Sequence, residues 1–182
     1  MHVVAVSDSR GCIYNRKGLD IPALIAHKLE TGSVKGFPGS KGIDHDSLFT
    51  LPVDILVPAV AEGAIHAGNA ARIEAQIVAE GANHAVTRDA DHILKHENRV
   101  VIPDYLANAG GVTVSYYEWV QDFNNLYWTE NEIQTNLETH FNRALEDVYS
   151  ARAQLGGDLR TAAFALAVSR INESTTLRGI YP

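Results

Sequence analysis

The 182-residue chain has one cysteine, Cys12, and one methionine, Met1. A single thiol closes no internal disulfide, and without a cysteine pair the usual structural zinc site is excluded. A reducing cytoplasm is the expected location. Basic residues are scarce, with 15 Lys and Arg against 22 Asp and Glu and a formal net charge of -7. No block of Lys or Arg runs along any segment, so no nucleic acid partner is expected. Long hydrophobic runs are missing too. No stretch approaches the roughly 20 apolar residues that cross a bilayer, and residues 1–4 lack the charged-then-apolar order of a signal peptide. Neither a membrane partner nor secretion is expected. Internal repeats, low-complexity tracts and Ser/Gly linkers are also absent, which leaves no second independent domain boundary.

At roughly 150 residues per domain the length suits one domain, and 46% hydrophobic residues supply its core. Short apolar runs at 2–6, 53–57, 76–79 and 99–102, each bounded by turn or charged residues, read as buried parallel strands. Between the first two, Asp20 can cap a helix and Pro22 suits its first turn. Ile21, Leu24, Ile25 and Leu29 then share one face before Gly32 ends it. Residues 68–73 and 87–96 also read as helices. Strand alternating with helix predicts an α/β fold, a Rossmann-like doubly wound parallel sheet. From Tyr105 onward the pattern changes to long helices at 106–128, 130–154 and 159–177, with Thr129 and Glu132 spaced as a capping box and Asp158 capping the last. The chain thus divides into an α/β part, 1–104, and C-terminal helices, 105–182.

Ligands of an open parallel sheet bind outside the carboxyl ends of its strands. That rule selects the loops at 7–11, 58–61, 80–83 and 103–111, all rich in small or polar residues. Asp8 stands at a strand end, where a dinucleotide site uses a carboxylate on the adenosine ribose. On the residues alone it reads first as a cap of its own turn. The glycine fingerprint G-x-G-x-x-G that should precede such a residue by about 20 positions is absent. The sheet is therefore expected to lack its first strand and glycine-rich loop, which would belong upstream of Met1.

Nearly the whole chain resembles the C-terminal half of the glutamate dehydrogenases, within the wider glutamate/leucine/phenylalanine/valine dehydrogenase family. The resemblance is carried by Val3-Val4-Ala5-Val6-Ser7-Asp8-Ser9, Asp54-Ile55-Leu56-Val57-Pro58-Ala59, Ile77-Val78-Ala79-Glu80-Gly81-Ala82-Asn83 and Leu159-Arg160-Thr161-Ala162-Ala163. Above all it is carried by Leu106-Ala107-Asn108-Ala109-Gly110-Gly111-Val112-Thr113-Val114-Ser115-Tyr116-Tyr117-Glu118-Trp119. It implies oxidative deamination of L-glutamate to 2-oxoglutarate and ammonia with NAD or NADP, in a homo-oligomer that by family resemblance is a hexamer. It also implies that Asp8 and Ser9 border the adenosine ribose, that the Ala59-Val60 backbone lines the cofactor cleft, and that Asn83 contacts the nicotinamide ribose. Asn108 would hold the carboxamide, a role suited to an amide that both donates and accepts; on the residues alone it reads as a helix cap. Ser115, with Val112 one turn before it, would help hold the distal carboxylate of the substrate. The residues alone equally allow a serine bonded to its own helix backbone.

The sequence departs from the family after Asn83, where Gly-Pro-Thr is usual and His84-Ala85-Val86 precedes Thr87. Arg10 suits a 2′-phosphate while Asp8 repels one, which leaves NAD and NADP both open. By the same resemblance the catalytic lysine and aspartate lie on an N-terminal domain outside this chain. No catalytic residue is assigned here, and Lys28, Lys35, Lys41 and Lys95 read as surface residues. The chain alone is expected to be inactive. Two other readings stand beside this one: a non-catalytic nucleotide-binding or subunit-docking module, and a dehydrogenase for leucine, valine or phenylalanine. His92 and His96 lack a third ligand and read as solvated, so no metal is expected. Tyr116, Tyr117, Trp119, Phe123, Tyr127 and Trp128 read as core or interdomain packing.

Overall fold

The computed structural model of the chain describes residues 1–179, so the last three residues of the expected 105–182 part lie outside it. Two small sheets and a helical tail make up the fold. β1 (Ala5–Asp8) turns tightly into β2 (Gly11–Tyr14) and pairs with it antiparallel, and β3 (Lys41–Ile43) continues the antiparallel sheet. Between β2 and β3 lies α1 (Ile21–Thr31). The Asp20 carboxylate accepts the Ala23 N–H at 3.1 Å, and Gly32, with a φ of 76°, returns its N–H to the Lys28 carbonyl. Ile13, Leu24 and Val34 form a small core beneath this unit.

The second sheet is parallel. β4 (Ile55–Leu56), β5 (Ile77–Ala79) and β6 (Val100–Ile102) lie side by side in that order. After the short helix α2 (His45–Phe49), capped by Asp44, the chain enters β4. β5, α3 (Arg88–His96) and β6 form a β-α-β unit. Each parallel strand contributes one core residue, Leu56, Val78 and Val101, packed with Ile65, Ala90 and Leu94.

The helical tail comprises α4 (Asp104–Ala107), α5 (Gly110–Asn124), α6 (Glu130–Leu155) and α7 (Leu159–Arg178). Thr129 and Glu132 complete the capping box of α6. α6 and α7 pack as an antiparallel pair, with Val148, Leu159 and Ala162 meeting Ile102 and Leu106.

Three expectations change. The run at 2–6 is not a strand of the parallel sheet: its strand begins at Ala5 and pairs only antiparallel, because Ser9-Arg10 close a hairpin that gives β1 a local partner. Residues 106–128 do not form one helix. Asn108 ends α4, and the Gly110-Gly111 pair, poor in helix propensity, lets a new axis begin. Residues 68–73 hold only a three-residue 3₁₀ turn, Ala70–Arg72.

Candidate functional site

The loops after β5 and β6 enclose an open cleft of about 630 Å³, walled by Gly81, Ala82, Asn83, Tyr105, Asn108 and Val112. Asn108 Nδ2 donates to Asn83 Oδ1 at 2.9 Å across its mouth. The Asn108 side chain is therefore not a cap: it ties the α4–α5 junction to the loop after β5. Gly81 suits the close approach here, since a Cβ would stand a tight 3.1 Å from both the Ala59 Cβ and a Val57 methyl. The Ala82 N–H donates to the Pro58 carbonyl at 3.0 Å, and the Gly63 N–H to the His84 carbonyl at 2.8 Å. These bonds bind the 58–63 loop, with the exposed Ala59 and Val60, to the cleft wall.

Beneath the cleft lies a buried ion network that the sequence reading does not anticipate. Glu80 is fully buried at the end of β5. Its carboxylate accepts the backbone N–H groups of Val86 (2.8 Å) and Asp104 (3.1 Å) and a short hydrogen bond from the Arg160 guanidinium. Arg160, in the first turn of α7, also reaches Asp91 at 3.4 Å and Asp104 at 3.7 Å. Asp104 accepts the His84 N–H at 2.9 Å. That bond pins His84, whose φ of 50° lies in the left-handed region where glycine is favoured. Tyr105 donates its hydroxyl to the Arg160 carbonyl at 2.7 Å. Burial pushes the Tyr105 phenol up to about 12 against the pull of the Arg160 cation, with the Asp104 carboxylate adding to the rise.

Lys95 belongs to the same system and is not a plain surface residue. It bridges Asp91 at 2.7 Å and Asp158 at 2.9 Å. Burial would lower its ammonium, but these two carboxylates outweigh that and hold it above its ordinary 10.5.

The other assigned residues stand apart. Asp8 and Ser9 sit at the β1–β2 turn, away from the cleft wall. Asp8 Oδ1 accepts from the Arg10 and Gly11 N–H groups and the Ser33 hydroxyl, and Oδ2 accepts the Val34 N–H at 2.8 Å, with Lys28 at 3.6 Å. Burial raises this acid, yet the N–H donors of Arg10 and Val34, the Ser33 hydroxyl and the Lys28 charge win and bring it down to about 2. Val112 projects from α5 into the cleft wall, 70% exposed. Ser115 lies one turn on, its hydroxyl donating to the Gly111 carbonyl at 3.0 Å.

Residues 1–179 match the family model described as Glutamate/Leucine/Phenylalanine/Valine dehydrogenase. The chain belongs to this dehydrogenase family. It is 51% identical over 180 residues to a glutamate dehydrogenase of Thermotoga maritima, a match covering 99% of this chain and 43% of that protein. Among solved structures it superposes on a hetero-hexameric glutamate dehydrogenase from Thermus thermophilus in a Leu-bound form. That TM-score is 0.91 at 37% identity, over all of this chain and 43% of the other. A glutamate dehydrogenase from Peptoniphilus asaccharolyticus gives a TM-score of 0.80 at 32% identity, over 97% and 40% of the two chains. The chain thus spans well under half the length of these relatives.

In this member of the dehydrogenase family the structure brings Asn83, Asn108 and Val112 to one cleft and leaves Asp8, Ser9 and Ser115 outside its wall. Of the functional neighbourhood, sequence reasoning misses Tyr105, Glu80, Asp104 and Arg160. One signal for them was present: Glu80 follows three apolar strand residues, and a carboxylate at the end of a buried strand requires a cationic partner or several N–H donors. The aromatic series is also divided. Tyr117 is buried against Trp128 and His140, while Tyr116, Trp119, Phe123 and Tyr127 are exposed. Among the described residues no cluster of three His, Cys, Asp or Glu could hold a metal, and no helix is long and apolar enough to cross a membrane.

Proposed function

We propose that this chain is the NAD- or NADP-binding portion of an enzyme that oxidatively deaminates L-glutamate to 2-oxoglutarate and ammonia. The observation that carries the reading is the Asn83–Asn108 hydrogen bond across a cleft at the carboxyl ends of β5 and β6. That bond uses one donor of Asn108 and one acceptor of Asn83. It leaves the Asn108 carbonyl and the Asn83 amide group free for a carboxamide and a ribose hydroxyl, so the residues present fit a nicotinamide nucleoside. Gly81, lacking a Cβ, lets the two loops approach without filling the cleft.

A bound nicotinamide supplies the hydride acceptor. The chain's own part is to orient and enclose: Asn108 fixes which ring face meets the substrate, and Val112 closes the cleft at its apolar side. Asp8 and Ser9 border the adenosine end, with the Ala59-Val60 backbone between. The Ser115 hydroxyl, one turn from Val112, favours a substrate with a distal carboxylate over leucine, valine or phenylalanine. To hold that carboxylate, the hydroxyl turns its single proton from the Gly111 carbonyl to the substrate. No proton-transfer group is assigned within this chain. Turnover therefore requires the remainder of a full-length dehydrogenase subunit, assembled as a homo-hexamer in the cytoplasm.

Titration of the chain with NADH and with NADPH, followed by nicotinamide fluorescence, tests the reading. Saturable binding of either, with no glutamate turnover by the chain alone, is expected. Absence of saturable binding to both would refute it. In the complete enzyme, Ser115→Ala should raise the KM for glutamate more than it lowers kcat. An unchanged KM would remove Ser115 from the substrate site.

A further inference from the structure

The cofactor cleft has two walls, Gly81-Ala82-Asn83 after β5 and the segment from Tyr105 to Val112 after β6. Each is anchored by a buried carboxylate at its base, and the anchoring runs crosswise. Glu80, directly before the first wall, accepts the Asp104 N–H at the base of the second, together with the Val86 N–H. Asp104, directly before the second wall, accepts the N–H of His84, the residue that closes the first. We propose that Arg160, which joins these two carboxylates from the last helix, is a positioning residue for the nicotinamide end of the cofactor. The inference rests on the cofactor reading given above and adds a residue to it.

Two buried carboxylates at one junction repel each other and are stable together only beside a cation. The Arg160 guanidinium supplies it, hydrogen-bonded to Glu80 and 3.7 Å from Asp104. Lys95 is engaged elsewhere, with Asp91 and Asp158. A planar fork addresses several acids at once, which the point charge of a lysine does not. Arg160 also holds the second wall directly. Its backbone carbonyl accepts the Tyr105 hydroxyl at 2.7 Å, and its guanidinium carbon stands 6.0 Å from the centroid of the Tyr105 ring. Apolar packing in place of a buried ion pair often costs no stability. What it would lose here is the fixed placement of three loop N–H groups, those of His84, Val86 and Asp104, and a binding wall depends on such support. Asn83 and Asn108, which meet across the cleft, stand one residue before His84 and four after Asp104.

Fluorescence titration with NADH, beside hydrogen exchange of the His84, Val86 and Asp104 amides without ligand, tests the proposal in the chain and three variants. Arg160→Lys keeps the charge and loses the fork. Exchange at the three amides should quicken roughly tenfold, and NADH affinity should fall about fivefold or more. Tyr105→Phe removes only the hydroxyl bond to the Arg160 carbonyl and should weaken NADH about threefold. Tyr105 is exposed, so this variant keeps the test decisive should Arg160→Lys unfold. Arg170→Met, which breaks the exposed pair of Arg170 with Asp147 elsewhere on α7, should change neither readout. Faster exchange with undiminished NADH affinity would mean a purely structural role and overturn the proposal, as would an equal loss of affinity in Arg170→Met. Failure of the unsubstituted chain to bind NADH would instead refute the cofactor reading. The two failures are told apart because the exchange measurement needs no ligand.

Discussion

The Asn108 side chain donates to Asn83 Oδ1 at 2.9 Å, joining a helix junction to a strand-end loop 25 positions away. A single interaction of this kind contributes about 0.5–1.5 kcal/mol. Asn108→Ala is therefore expected to weaken binding of the preferred nicotinamide dinucleotide roughly three- to tenfold or more, since the amide contact to the carboxamide is lost with it. Fluorescence titration measures this. Equal affinity in the variant would detach Asn108 from the cofactor.

Glu80 and Arg160 lie 80 positions apart, and the carboxylate is fully buried. Arg160→Met strands that charge. The expected loss is about 3–5 kcal/mol of unfolding free energy, the usual result of removing one partner from a buried pair. Glu80→Gln added to Arg160→Met should cost less than the sum of the two single losses, because either change alone already breaks the ion pair. Chemical denaturation of the single and double variants supplies both numbers. Additive losses would show that the pair is not coupled.

Asp8 and Asp158 both titrate at about 2 in the fold, below an ordinary 3.8. For Asp158, burial raises the acid, but the Thr161 N–H and the Lys95 ammonium outweigh it. A depressed folded-state value means the folded protein prefers the carboxylate, so the stabilisation is present in full above pH 3.8 and is lost as pH falls toward 2. Stability of the wild type should decline across that interval. The difference between wild type and Asp8→Asn should shrink over the same range and stay constant above it. A difference that grows on acidification would contradict the sign.

His84 holds a φ of 50° while its side chain is exposed. A residue with a Cβ is strained there, and a β-branched one more so. His84→Gly is expected to raise stability by up to about 1 kcal/mol, the relief of strain being partly offset by glycine's greater freedom when unfolded. His84→Val should lower it by about 1–3 kcal/mol. Thermal or urea unfolding distinguishes the two. A Val variant as stable as wild type would mean that the loop simply re-forms.

Signals that act within one turn were legible in the residues. Asp20 and Gly32 bracket α1, Thr129 and Glu132 cap α6, Asp158 caps α7, and the apolar runs at 53–57, 76–79 and 99–102 mark β4, β5 and β6 within a residue or three. Family membership was legible as well, because it resides in residue identity along the chain. The resemblance assigns Asn83, Asn108 and Val112 to the site, and in the fold all three line one cleft.

Partner choice over long separations was not legible. Strand character at Val6 does not say whether its neighbour will be the next strand or a distant one; the hairpin at Ser9-Arg10 made it β2, antiparallel. Lys95 has the look of any helix-surface lysine until α7 brings Asp158 to it, and Glu80 is an improbable buried acid until Arg160 arrives from the far end of the chain. Hydrophobic periodicity and capping are set by neighbours three or four residues apart. The buried charges are stable only in company that folding assembles, so only the packed chain reveals which of them hold the cleft in shape.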